Sequence, residues 1–185
     1  LYKEPSLQSS YFGTGIGKTL YDYVLKHKPK VIAEFGVLNG YSTVCMAQAL
    51  KEVGSGTILA YDLWEDAPFG HGQNLKAVEE TLEQYGVSEF VELKRGDFLT
   101  WVKEKESRFV DLLHVDINNN GDLLPIFYQL ECPVLFEGGT ETRDECWWMN
   151  KFSKPKMFPL KSKYGYEILN DTYPSLSFIK KRILL

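Results

Sequence analysis

The stretch Glu34-Phe-Gly-Val-Leu-Asn-Gly-Tyr-Ser-Thr43 lies between the apolar run Val31-Ile-Ala33 and the helical pattern Val44–Leu50, and it constrains this chain most. An apolar strand, a glycine-containing turn and a helix, in that order, open a nucleotide-binding βαβ unit. At Gly36 and Gly40 the missing Cβ makes positive φ inexpensive and lets a ligand approach the backbone. The two glycines stand four apart, which departs from the G-x-G-x-x-G spacing that seats a pyrophosphate on a helix N-terminus. A nicotinamide-dependent oxidoreductase is disfavoured on that ground.

The alternation continues along the chain. Strands are expected at Val31–Phe35, Thr57–Asp62, Phe90–Arg95, Val110–Asp116 and Val134–Glu137. Between them, Leu75, Val78 and Leu82 fall at helical spacing, as do Leu123, Ile126, Phe127 and Leu130. Ahead of the first strand, Thr19 and Asp22 form an acidic variant of a capping box beside Leu20, Tyr23 and Val24. Such alternation predicts a parallel sheet with helices on both faces and right-handed crossovers. The tail differs, because Tyr164–Leu169 and Ser177–Arg182 read as strands with no helix between them. They predict an antiparallel hairpin at a sheet edge, with Pro174 in its loop. The expected fold is α/β, a doubly wound Rossmann-like sheet of seven mostly parallel strands that closes with this hairpin.

A length of 185 residues suits one domain, 1–185, able to bury a full core. Hydrophobic content of 44% and charged content of 25% are globular values. A net charge of -4 argues against general nucleic-acid binding. No apolar run approaches the ~20 residues of a membrane span, and no secretory signal precedes the fold. Cys45, Cys132 and Cys146 lack metal-type spacing and read as reduced thiols, so a cytoplasmic location is expected.

The glycine segment resembles the first motif of class I S-adenosylmethionine-dependent methyltransferases. It is most similar to the Glu-x-Gly-x-x-x-Gly-Tyr-Ser form of the catechol O-methyltransferase-like branch, which extends to small-molecule and sugar O-methyltransferases. The resemblance covers roughly Tyr11 to Arg182 as topology, and only this motif matches in letters. It implies S-adenosyl-L-methionine as cofactor, with Glu34, Gly36, Gly40 and Ser42 around its methionine end.

Ligands of open α/β sheets sit outside the carboxyl ends of the strands. Asp62 ends the second strand 22 residues beyond Gly40, where a carboxylate can accept both ribose hydroxyls, the role the resemblance implies. Trp64 either covers the adenine face or packs in the core. Asp97 and Phe98 follow the third strand, and the resemblance puts them near the adenine amino group. Asp97 also reads as the cap of a helix Phe98–Glu104.

Asp116 ends the fourth strand, where the resembled branch places an acid that faces the transferred methyl or ligates a metal. The usual lysine three positions on is Asn119 here, and an Asp-His pair of related enzymes is replaced by Asn118 and Asn119. Asparagine cannot act as a base at neutral pH. His114, inside the strand, reads as a satisfied core histidine. Where cation-dependent relatives carry an Asp-Asn pair, the fifth strand ends in Glu137-Gly138. Asp116 and Glu137 are thus expected either to work directly as the catalytic pair or to hold a divalent cation. That cation, Mg²⁺ or Ca²⁺, would need an asparagine carbonyl from Asn118 or Asn120 and water to complete its ligands.

The small-molecule acceptor is expected against Trp64, His71 and the segment Thr140–Trp148, with Trp148 as a substrate contact. The lysine-rich stretch Lys151–Lys163 reads as solvated surface or as a loop favouring anionic or aromatic acceptors. Gly13–Thr19 is not a P-loop, since Phe12 stands where the first glycine is required and no strand precedes it. The expected activity is methyl transfer to a hydroxyl. Its rivals are an N-methyltransferase on the same fold and a cofactor-binding module that has lost catalysis.

Overall fold

Seven strands form one sheet in the order β3-β2-β1-β4-β5-β7-β6. The computed structural model describes residues 1–66, 74–104 and 109–180. The five parallel strands are β1 Val31–Phe35, β2 Thr57–Asp62, β3 Val91–Arg95, β4 Leu112–Val115 and β5 Val134–Glu137. The hairpin strands are β6 Glu167–Asn170 and β7 Leu176–Ile179, and β7 pairs antiparallel with both β5 and β6. Strand order reverses between β1 and β4, so the crevice expected to hold a ligand opens at their carboxyl ends.

Alternation along each strand sorts side chains between two cores. Ile32, Ile58, Ala60, Leu112 and Leu135 face α1 Ile16–His27, α2 Tyr41–Val53 and α3 Leu75–Gln84. Ala33, Phe35, Leu113, Val115 and Phe136 face α4 Phe98–Trp101 and α5 Leu124–Gln129 on the other side. Glu34 and His114 fall on the α2 side by the same parity, and they are register partners on neighbouring strands. Two short helices, α6 Trp147–Lys151 and α7 Lys161–Tyr164, precede the hairpin.

Three local expectations change. The capping box at Thr19 is not formed, because α1 begins at Ile16 behind Gly15 at φ 80°. Thr14 Oγ1 accepts from the Ile16 amide, while Thr19 Oγ1 donates back to the Gly15 carbonyl inside the helix. Asp22 pairs with Lys18 instead. Tyr164 closes α7 rather than opening a strand, since Gly165 at φ 60° caps that turn and β6 starts at Glu167. The helix after Asp97 ends at Trp101.

Phe35 anchors the second core. It stacks on Tyr61 at 4.8 Å and meets Phe98 at 5.4 Å and Trp101 at 5.1 Å. Phe35→Ala should therefore lower stability by about 3–5 kcal/mol, read as a lower urea midpoint with unchanged slope.

Candidate functional site

A cavity of about 330 Å³ opens at the carboxyl ends of β1, β2 and β4, within the size range of small-ligand pockets. Gly36, Ser42, Asp62 and Asp116 line it, together with Gln8–Ser10 ahead of α1 and Val37–Asn39 of the β1–α2 loop. Gly36 sits at φ +88°, and a Cβ there would lie 1.8 Å from the Asp116 carbonyl oxygen. Glycine is thus required for the β1 end and the β4 end to touch. Gly40, at φ +80°, is the N-cap of α2.

Asp62 holds this loop in place. Its Oδ2 accepts from the amides of Val37 at 2.8 Å and Leu38 at 3.0 Å, and its Oδ1 accepts from Leu63 and Trp64. Leu38 lies at φ 50°, a conformation that costs a non-glycine residue about 1–3 kcal/mol unless its surroundings enforce it. Two convergent amides on one carboxylate oxygen form such a restraint. All four lone-pair positions of Asp62 accept backbone hydrogen bonds, so a ribose hydroxyl has to share an oxygen with the loop.

Behind the cavity wall lies a first buried charge. Glu34 is fully buried and accepts from Ser42 Oγ at 2.6 Å and Thr43 Oγ1 at 2.5 Å, while His114 Nδ1 lies 3.1 Å from its Oε1. Glu34 therefore ties the first turn of α2 to β1 and β4 and does not line the cavity. His114 is a core histidine satisfied on one nitrogen, and its Nε2 has no partner.

A second buried cluster surrounds Asp116 and Glu137, which the strand ends bring together. Arg143 donates through Nε to Glu137 Oε1 at 2.8 Å and through a terminal nitrogen to Cys146 Sγ at 2.5 Å. Trp148, half-buried, lies under that guanidinium at 5.7 Å. Asn119 donates to the carbonyls of Val115 at 2.8 Å and Glu137 at 3.0 Å, pinning the ends of β4 and β5 together. Tyr11 is buried beside them, its hydroxyl without a hydrogen bond of ordinary geometry. Burial and then the charge of Glu137 push the Asp116 carboxyl well above the usual carboxylate range. Burial, followed by the charges of Asp116 and Glu137, likewise pushes the Tyr11 hydroxyl upward.

Several expected contacts fall elsewhere. Trp64 has no exposed surface, sits in the first core and donates its indole N–H to the Lys94 carbonyl at 3.0 Å. An indole so enclosed cannot cover an adenine face. Phe98 is buried in the second core for the same hydrophobic reason. Asp97 is exposed and caps α4 by accepting from the Thr100 amide at 3.0 Å, and the Thr100 side chain first and that amide second lower its pKa. His71 lies outside the described residues. Among the described residues, no three His, Cys, Asp or Glu side chains converge as a metal-binding group. Sequence reasoning missed Tyr11, Arg143 and Gln8–Ser10, which lie in irregular segments where no periodicity marks them.

The pKa of Asp116 has a consequence for stability. The folded state binds a proton there that the unfolded chain releases near pH 4, so stability falls as pH rises above that value, until it passes the folded-state pKa. Asp116→Asn removes this proton linkage. The variant should gain stability relative to the parent between about pH 5 and about pH 8, measured by urea unfolding at both values.

A family model described as "Methyltransferase domain" matches residues 33–144. No curated protein matches the chain. Among solved structures, the O-methyltransferase TomG from Streptomyces achromogenes, involved in tomaymycin synthesis and in complex with SAM, is 22% identical with a TM-score of 0.55. That match covers 71% of this chain and 59% of TomG. A candidate O-methyltransferase from Klebsiella pneumoniae is 23% identical over 73% of this chain and 59% of its own length, with a TM-score of 0.52. The O-methyltransferase from Bacillus cereus, in complex with SAH, is 17% identical with a TM-score of 0.62, covering 96% of this chain and 84% of that one. The chain thus spans less than two thirds of the first two structures. At these identities the likeness establishes the fold. The family match runs from within β1 to the segment beyond β5, across the motif and the cavity built from it, and the chain belongs to the methyltransferase domain family.

Proposed function

We propose that the chain, acting as one domain, transfers a methyl group from S-adenosylmethionine to a hydroxyl of a small-molecule acceptor. The observation that carries this reading is the cavity at the β1–β4 switch point, with Gly36 at its back and Asp116 beside it. The SAM-bound and SAH-bound states of the TomG and Bacillus cereus structures support it. Residues Gly36–Asn39 and Ser42 hold the cofactor by backbone and hydroxyl groups, and Asp62 fixes that loop while offering its oxygens to the ribose. Glu34 keeps the α2 end of the cavity in place from behind.

When bound, the cofactor supplies a methyl already activated on a sulfonium, so the protein's work is alignment and removal of one proton. Asp116 faces the cavity and takes the acceptor's hydroxyl proton as that oxygen attacks. Because burial raises its pKa, this step runs from the deprotonated fraction of Asp116, which grows as pH rises. In this reading the acceptor side is the segment Thr140–Trp148, beyond the residues that line the cavity, with the half-buried Trp148 ring against Arg143. No helix among the described residues is long and apolar enough to cross a membrane, and the three cysteines form no disulfide. Both observations accord with a cytoplasmic setting.

Calorimetry should show binding of S-adenosylhomocysteine and none of NAD. Asp62→Ala should weaken that binding by at least ~1.5–3 kcal/mol and speed hydrogen exchange at the Val37 and Leu38 amides. Unchanged affinity in that variant, or tight NAD binding, would refute the cofactor assignment. With an acceptor in hand, Asp116→Asn should cut turnover by at least ~10²-fold while leaving cofactor affinity nearly intact.

A further inference from the structure

We infer that Arg143 fills the cationic role at Glu137 that a divalent metal fills in the cation-dependent relatives, and that its guanidinium closes this site to metal ions. The inference rests on the methyltransferase reading for its meaning, and on geometry alone for its substance. Three observations converge on it.

One of the two Glu137 oxygens is already in use. Glu137 Oε1 accepts from Arg143 Nε at 2.8 Å, and both side chains are nine-tenths or more buried. A buried carboxylate must be paired, and removing its partner leaves an uncompensated charge, so this guanidinium is not a loose surface contact. The guanidinium is also fixed on its other sides by Cys146 Sγ at 2.5 Å and the Trp148 ring at 5.7 Å. Planar, permanently charged and weakly hydrated, it suits such a buried anion better than an ammonium would.

The backbone is shaped for it as well. Position 138 would supply the second metal oxygen in the Asp-Asn arrangement, and here it is glycine at φ +99°. A Cβ there would stand 3.4 Å from Arg143 Cγ and 3.3 Å from Met157 Sδ. The φ of +99° disfavours any side chain at position 138, so the turn that carries the chain back towards Arg143 offers no donor there. Asn120, one of the two carbonyl donors expected, is in use, its Oδ1 accepting from the Asp122 amide at 2.9 Å. The Asn119 amide nitrogen donates to two strand-end carbonyls while its Oδ1 has no partner. That geometry aims Asn119 at the backbone of β4 and β5, where it works as a latch.

Mg²⁺ and Ca²⁺ take six or more oxygen ligands, and Mg²⁺ tolerates little distortion. With Glu137 held by Arg143 and position 138 empty of donors, the set is too small. The acceptor is then held by hydrogen bonds and aromatic contact, not by ligation of its oxygens to a metal.

Mn²⁺ binding followed by electron paramagnetic resonance tests this without cofactor or acceptor. The wild-type protein should bind no Mn²⁺ at this site, and Arg143→Lys, which keeps the charge, should also bind none. Arg143→Ala frees Glu137 beside Asp116, so its Mn²⁺ affinity should rise at least about tenfold, and adding Glu137→Gln should abolish the gain. A wild-type protein that binds one Mn²⁺ and loses it on Glu137→Gln would overturn the inference. A folded Arg143→Ala protein with no gain would do the same. Should Arg143→Ala fail to fold, the wild-type and Arg143→Lys titrations decide alone. Failure of S-adenosylhomocysteine binding would count against the methyltransferase reading and leave the metal result standing.

Discussion

Gly36 meets the backbone of Asp116 where the first and fourth strands end, and the rest of the site is arranged around that meeting. The Asp116 amide donates to the Phe35 carbonyl at 2.8 Å, and the Asp116 carbonyl fills the space where any Cβ on Gly36 would lie. Because the contact is backbone to backbone, no rotamer change can relieve a larger residue. It fixes the loop of Val37–Asn39 relative to the β4 end, and so fixes the cavity relative to the acid at its edge. Asp62 completes the restraint from β2 by holding the amides of Val37 and Leu38.

Charge balance follows from the pleat. Residues 34, 114 and 137 fall on the α2 side of their strands, and continuing β4 by one residue puts 116 beside 137. Four ionisable groups therefore enter one buried layer, and each carboxylate needs its own solution. Glu34 is solved by hydroxyls and an imidazole nitrogen, Glu137 by a guanidinium. At Asp116, burial and the neighbouring Glu137 outweigh what Tyr11 and Arg143 offer its charged form, and it holds its proton more tightly. The carboxyl whose pKa is raised is the one that borders the cavity, where a perturbed titratable group marks a functional position.

The sheet was legible because its signals are periodic. β1, β2 and β5 begin and end where the apolar runs do, and the absence of a helix between residues 170 and 176 marked the antiparallel pair. Asp62, Gly36 and Asp116 could be placed at the cavity because strand ends in this topology converge there. Trp64 could not be assigned from sequence, since an aromatic two residues past a strand end turns inward or outward with a single backbone angle. Its φ of 53° sends it into the core. Arg143 was hidden for a different reason. It lies six residues beyond Glu137 in a segment without regular spacing, and it returns to that carboxylate only because Gly138 and Gly139 turn at φ +99° and +92°.

The front wall of the cavity is built differently from its back. The back consists of strand ends and buried pairs, whereas the front is the segment ahead of α1, which belongs to no strand or helix. That segment is tied to the site by polar contacts. Asn39 Nδ2 donates to the Gln8 carbonyl at 2.8 Å, and Glu4 Oε1 accepts from Tyr41 Oη at 2.6 Å and the Gly13 amide at 3.0 Å. Each is partly exposed, so each competes with water and contributes about 1 kcal/mol or less. The segment is also anchored by Tyr11, buried in the first core, with Tyr2 and Leu7 packed against that core. A ligand that fills the cavity meets strand ends bearing Asp116 on one side and, on the other, an irregular segment held by these polar contacts and by a buried tyrosine.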